Sequence, residues 1–231
     1  MLPISATDAW RAAHPGGRIG LLELSGIDNR QPSVELEARK REAVARLRQR
    51  YRGFTRQDFL ALPAMAVYAR YYARFDKTYH VQLQLESLVL KGRDLPSVSP
   101  LVDAYFLAEV ETLVLTAGHD ADRLAPPVCI DASVAGDRMT LLAGVEKPIR
   151  PGDMVLRDAG GVSCAVLYGQ DNRSPINPET AHAIFVAYAP AGIAVDLVEA
   201  QLEAIEDNLR LFAPQAVVER HAVLAADGGQ A

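Results

Sequence analysis

Apolar and polar residues alternate along this chain in two rhythms, helical through its first half and extended after Pro126. Leu36, Ala43, Val44, Leu47 and Tyr51 recur at helical spacing behind Ser33, which suits an N-cap. Glu35 and Glu37 fall in the first turn and arginines in the later ones, the polarity a helix dipole favours. Thr55 with Asp58 has the pattern of a capping box, opening a short helix that Pro63 restarts. Tyr68, Tyr71, Tyr72 and Phe75 then form an aromatic stripe, which either packs in a core or stacks on a base or aromatic ligand. Val81–Lys91 predicts a helix stopped by Gly92. Ser99-Pro100 starts another, and Leu101–Thr116 is apolar on most faces, so it must be covered.

Ahead of these helices Arg18–Ser25 reads as a strand closed by a turn at Gly26-Ile27-Asp28-Asn29. After Pro126 short apolar runs separated by turn residues predict strands at Val128–Ala132, Met139–Ala143, Met154–Arg157, Val162–Tyr168 and Ala183–Tyr188. Asp196–Phe212 carries Val198, Leu202, Ile205, Leu209 and Phe212 at four- and three-residue steps and predicts an amphipathic helix. Helices before strands point to an α+β fold, with the N-terminal helices packed on a sheet core in the C-terminal half. The expected organisation is one domain over residues 1–222: an N-terminal strand and helices (1–79), a core, and a C-terminal helix (193–213). A flexible tail (223–231) should follow.

The 231 residues suffice for a substantial core, and no apolar run approaches the ~18 residues of a membrane span. The N-terminus lacks the pattern of a secretion signal. Cys129 and Cys164 have neither metal-ligand nor redox spacing and read as buried thiols in a reducing cytoplasm. Net charge is uneven. Residues 1–94 hold 16 Lys+Arg against 10 Asp+Glu, and residues 95–231 hold 8 against 19. A basic half suits a partner that is anionic over part of the surface, and equally an arginine-rich solvated helix. The densest positive run is Arg39, Lys40, Arg41, Arg46, Arg48 and Arg50.

Familiar catalytic signatures are missing: there is no phosphate loop, dinucleotide fingerprint or zinc-spaced histidine pair, and no cofactor is implied. Gly161–Ala165 narrowly misses a nucleophile elbow, and Gly228-Gly229-Gln230, although similar to a release-factor tripeptide, has no scaffold to aim it. Two features remain. Ala117-Gly118-His119-Asp120 follows the buried helix. If Gly118 ends that helix, His119 and Asp120 sit at its C-terminal mouth, where a protonated imidazole is favoured. Otherwise Asp120 caps the next turn and His119 fills space. The loop Gly169-Gln170-Asp171-Asn172-Arg173-Ser174-Pro175 lies between two apolar strands and is either a ligand-holding loop or an ordinary surface hairpin. Arg173 suits a phosphate or carboxylate and Asp171 an amine or ribose hydroxyl, unless the two pair with each other.

Leu95-Pro96-Ser97-Val98-Ser99-Pro100-Leu101-Val102-Asp103, the buried helix, and Gly118-His119-Asp120-Ala121-Asp122-Arg123-Leu124 together resemble the editing and tRNA-binding domain of the bacterial phenylalanyl-tRNA synthetase beta subunit. Pro151–Asp158, Cys164–Gly169 and Thr180 extend the resemblance over about residues 80–192, closest to the family's freestanding members. The resemblance implies a layered β-sandwich with helices on one side. It also implies a pocket that holds the amino acid of a mischarged tRNA while water attacks the ester. Gly169 matches a pocket glycine, but the family's histidine and tyrosine-recognising glutamate fall at Ala117 and Val186.

The expectation is therefore a protein that binds the aminoacyl end of tRNA or a related amino-acid-like ligand. Ester hydrolysis would be an added activity using His119 and Asp120. Gly169, Gln170, Asp171 and Arg173 would hold the ligand, and the arginine-rich helix would lie along RNA. The alternative is a non-catalytic small-molecule or protein-binding module using the same pocket. Neither reading needs a metal, a cofactor or a membrane.

Overall fold

In the computed structural model, which describes residues 1–228, the chain opens with β1 (Ile4–Ala6), α1 (Asp8–Ala13) and β2 (Arg18–Ser25). Five helices follow: α2 (Val34–Arg50), α3 (Arg56–Leu60), α4 (Pro63–Ala73), α5 (His80–Val89) and α6 (Pro100–Thr112). The strands come next: β3 (Thr116–Asp120), β4 (Val128–Ala132), β5 (Arg138–Thr140), β6 (Glu146–Pro148), β7 (Met154–Asp158), β8 (Gly161–Ala165), β9 (Gly169–Gln170) and β10 (His182–Ala189). The last elements are α7 (Val195–Arg210) and β11 (Val217–Ala225). The arrangement is the expected α+β one.

Local signals were accurate where they name a cap. Ser33 Oγ accepts from Leu36 N at 3.1 Å, the Thr55–Asp58 capping box is complete, and Pro63 and Pro100 sit in the first turns of their helices.

One sheet runs β1-β4-β7-β8-β9 and the other β11-β2-β10-β3, while β5 and β6 form a separate ribbon. All pairings in the second sheet are antiparallel, and β10 is one of its two inner strands, from Ala183 to Ala189 no more than 1% exposed. On one face Phe185 and Ala187 lie under the helices. A Cβ added to Gly118 would meet Tyr105 of α6 at 2.9 Å and Phe185 at 3.1 Å, and one added to Gly20 would meet Val198 of α7 at 2.8 Å. These two glycines let the helices close onto the sheet. The stripe on α4 is core: Tyr68 donates to Tyr188 O at 2.7 Å, Tyr71 to Asp153 Oδ1 at 2.6 Å and Tyr72 to Val166 O at 2.7 Å. Three buried hydroxyls thus tie α4 to both sheets.

Four expectations are corrected. Helix α6 ends at Thr112, not Thr116; Leu113, left-handed at φ 66°, donates its N–H to Glu109 O, and Thr116–Asp120 is a strand. Gly118 is therefore in a strand, not at a helix end. The run expected to continue to Tyr168 stops at Ala165, because Gly169 at φ +81° turns the chain back so that Gly169 pairs with Ala165. Met139–Ala143 forms only the short ribbon strand β5. The flexible tail expected from residue 223 does not begin there, since Val217–Ala225 pairs along β2. Gly229 and Gln230 lie outside the described residues.

Glu109 makes the turn from α6 into β3, its carboxylate accepting from Thr116 N at 2.9 Å while only 1% exposed. Burial pushes its pKa up to about 8, and burial likewise raises Asp153 to about 7. The folded state therefore keeps protons that the unfolded chain releases near 4.5 and 3.8. Their stabilising contribution is full below those values and is lost as pH rises through the folded ones. Stability should fall from pH about 4.5 to about 8, and Glu109→Gln, whose amide oxygen still accepts from Thr116, should flatten that slope. Urea midpoints across this range provide the measurement.

Candidate functional site

Strand β3 delivers His119 and Asp120 to opposite faces, as strand alternation requires, so they do not form a pair. His119 is fully buried, its Nδ1 2.9 Å from Ser174 Oγ and its Nε2 without a hydrogen-bond partner among the described residues. Burial, with help from nearby Arg173, lowers its pKa to about 4 against the opposing pull of Asp158. The imidazole is neutral, contrary to the protonated one expected at a helix end. Asp120 accepts from Thr180 Oγ1 at 2.8 Å and Asn177 Nδ2 at 3.4 Å, and its own N–H donates to Ser174 O at 3.0 Å.

The loop after β9 reaches His119 through Ser174, so the expected meeting of the two segments does occur. Its charges, however, face inward. Arg173 donates from Nε to Asp171 Oδ2 at 2.5 Å, from Nη1 to Asp158 Oδ1 at 2.8 Å and from Nη2 to Ser163 Oγ at 3.1 Å. Asp171 is 1% exposed and also takes the N–H groups of Arg173 and Ser174. Burial pushes Asp158 up, but Arg173 and the N–H groups of Ala125 and Gly160 outweigh it and hold the carboxyl below its ordinary value. A Cβ on Gly160 would lie 2.0 Å from Arg173 Nη1, so that glycine is required for the guanidinium to lie where it does. Arg173 therefore binds two of the protein's own carboxylates instead of a ligand's anion. Gly169 shapes the turn, with nothing within 4 Å of its would-be Cβ, and Gln170 pairs with Cys164 in β9. Val186 is fully buried in β10, paired with Ala117 and Leu21.

The arginine-rich helix is also partly withdrawn. Lys40, expected to meet RNA, is 3% exposed and donates to Asp103 at 2.8 Å, Glu37 at 2.7 Å, Ser97 at 2.9 Å and Pro96 O at 3.0 Å. Arg46 pairs with Glu111 and Arg48 with Asp94 and two carbonyls, while Arg50 lies over the Tyr51 ring at 5.2 Å. Arg39 stays half-buried and Arg41 exposed.

An open cleft of about 260 Å³ lies elsewhere, between the start of α2 and the segment leading into α6. Asn29, Arg30, Ser33, Glu37, Val98 and Ser99 line it, with Pro178 closing one side. Asn29 fixes its floor, accepting from Leu101 N at 2.9 Å and donating to Asn177 O at 2.8 Å. The cleft thus adjoins the Asp120–Asn177–Thr180 cluster. The sequence pointed to its Val98–Ser99 wall only through the resemblance, and Asn29 and Pro178 carried no signal.

A core of two sheets and covering helices, with a cleft at a capped helix start, defines an α+β domain. The sequence profile of the B3/4 domain matches residues 64–216, and the chain belongs to that family, found in the phenylalanyl-tRNA synthetase beta subunit. No curated protein matches the sequence significantly. Among solved structures, an N-terminal fragment of the phenylalanyl-tRNA synthetase beta-subunit from Pyrococcus horikoshii aligns over 96% of this chain with 9% identity and a TM-score of 0.46. The present chain covers 55% of that fragment.

Replacing Arg173 with Ala should leave two buried carboxylates facing each other. The expected loss is about 2–3 kcal/mol, under the ~3–5 of a fully buried pair because 37% of the Arg173 side chain is exposed to screening solvent. Arg173→Lys should recover little, since an ammonium cannot fork between both partners. Chemical denaturation of the two variants provides the comparison.

Proposed function

We propose that this protein is a B3/4-type binding module that takes the aminoacyl group of a charged tRNA, or a free amino-acid-like ligand, in the cleft beside Ser99. His119 does not act as its hydrolytic group. The observation that carries the reading is the position of the cleft: its wall is the Val98–Pro100 segment by which the chain resembles the editing domain, and it adjoins the Asp120 cluster. The chemistry also suits such a ligand. An α-ammonium, common to both candidates, would share the Glu37 carboxylate with Lys40 and Ser97, and an anionic group would meet the positive end of α2, Arg30 being already paired with Asp28. The N-terminus of α6 adds no free donors, since Asn29, Ser99 and Asp103 already take its N–H groups and that of Val98. A sealed, neutral His119 with Nδ1 held by Ser174 supports binding over hydrolysis.

The test is calorimetric titration with a panel of amino acids, beside filter binding and deacylation of a panel of aminoacyl-tRNAs. One or more panel members should bind the wild type. Val98→Trp, at an exposed wall position, should abolish that binding while the protein stays folded. A steep salt dependence would assign the ligand to tRNA, and a flat one to the small molecule. Binding unaffected by Val98→Trp would refute the site. Multiple-turnover deacylation abolished by His119→Ala would refute the assigned chemistry.

A further inference from the structure

On another side of the molecule, α4 presents Arg70 and Arg74 one turn apart, next to the residue that ends α1, His14. With Val67, Tyr71 and Ala191 they line a cleft of about 260 Å³. Residues at i and i+4 have Cβ atoms about 5–6 Å apart, so both guanidinium groups can serve one small group. Among the described residues neither arginine makes an ion pair or a side-chain hydrogen bond. This sets them apart from Arg173, Arg157, Arg210 and Arg220, each of which has a carboxylate partner.

Arg74 is nevertheless positioned. Its guanidinium lies 5.3 Å from the centroid of the Tyr71 ring and 5.2 Å from that of Phe75, contacts that hold a cation without neutralising it. Two turns with left-handed glycines lie beside the pair: a Cβ on Gly152 would sit 3.9 Å from Arg74 Nη2, and one on Gly192 the same distance from Arg70 Nη2. His14 is 6% exposed, and its Nε2 is buried without a hydrogen-bond partner. Such an orphaned nitrogen costs free energy unless something meets it. The neighbouring carboxylate, Asp153, is behind Tyr71 and bound to its hydroxyl, so it does not occupy the cleft.

We propose that this cleft binds a phosphate-type dianion, with Arg70 and Arg74 supplying the two charges and His14 Nε2–H a third donor. Two guanidinium groups with no protein counter-ion match a doubly charged, oxygen-rich group better than a single carboxylate. The volume is below the roughly 300–1,000 Å³ of sites for drug-sized ligands, which suits a head group and not a whole cofactor. Val67 and Ala191 give the group an apolar flank. The site is separate from the cleft beside Ser99 and does not rest on its assignment.

Inorganic phosphate is the probe, titrated by calorimetry into the whole protein at low ionic strength, with the histidine resonances followed by NMR. One saturable site is expected. Arg74→Ala should weaken it about tenfold or more, and Arg70→Ala/Arg74→Ala should remove it. Both positions are exposed, so the double variant should keep the wild-type melting temperature. His14, held at about pKa 4 by burial and by Arg74, should titrate higher when the dianion is bound, with Arg70, Arg74 and Asp153 as the other charged groups around it. A single-stranded RNA oligomer forms the second arm. If it competes with phosphate and its binding falls steeply with salt, the phosphate belongs to a nucleic acid backbone. If it does not compete, the phosphate belongs to a small molecule. Absence of saturable phosphate binding, equal binding by the double variant, or unmoved His14 signals would each overturn the proposal.

Discussion

Strand β10 crosses the molecule with apolar side chains on both faces, and the layers around it follow from the need to cover both. Phe185 and Ala187 require the helices, which approach closely because Gly118 and Gly20 leave room for Tyr105 and Val198. Tyr188 lies near Cys164 of the β1-β4-β7-β8-β9 sheet, and its carbonyl takes the Tyr68 hydroxyl. The same constraint bears on Val186. A glutamate there would be a buried carboxylate between two paired strands, so this position belongs to the core.

Polar groups that would otherwise suggest a catalytic centre are consumed in satisfying one another. His119, Ser174, Asp171, Arg173 and Asp158 form a continuous chain of contacts joining β3, the loop after β9 and β7. Buried networks of this kind rigidify when complete. Here nearly every donor and acceptor is matched, His119 Nε2 being the exception. Lys40 and Asp103 do the same for α2 and α6. The cleft lined by Arg70 and Arg74 differs, because there His14 Nε2 has no hydrogen-bond partner among the described residues.

What could be read from the sequence follows from the range of the forces involved. Ser33, the Thr55–Asp58 box, Pro63 and Ser99-Pro100 act within a few residues and were legible. The all-apolar run of β10 was too. Thr116–Asp120 carries no strand pattern of its own and is extended because β10 pairs with it. Val217–Ala225 was missed because most of it is only half-buried. The pairing of two expected site residues was hidden for the same reason. Arg173 looked free because one of its partners, Asp158, is 15 residues away, and Lys40 looked exposed because Asp103 is 63 away. Spacing shows which residues face one way, but not which charges the fold will bring to meet them.

The pairing of β11 along the whole of β2 has a consequence for how the chain can be handled. Without β11, a strand with Ile19, Leu21, Leu22 and Leu24 would present a row of open backbone donors and acceptors. Such an edge recruits another chain as readily as its own missing segment. The closing strand replaces that apolar edge with one that carries Glu219, Arg220 and His221, charged and polar residues of the kind that discourage edge-to-edge pairing. Arg11, bonded to Ala225 O, and Gly17, whose carbonyl takes Ala226 N, fasten that outer strand from the opposite end of the sequence.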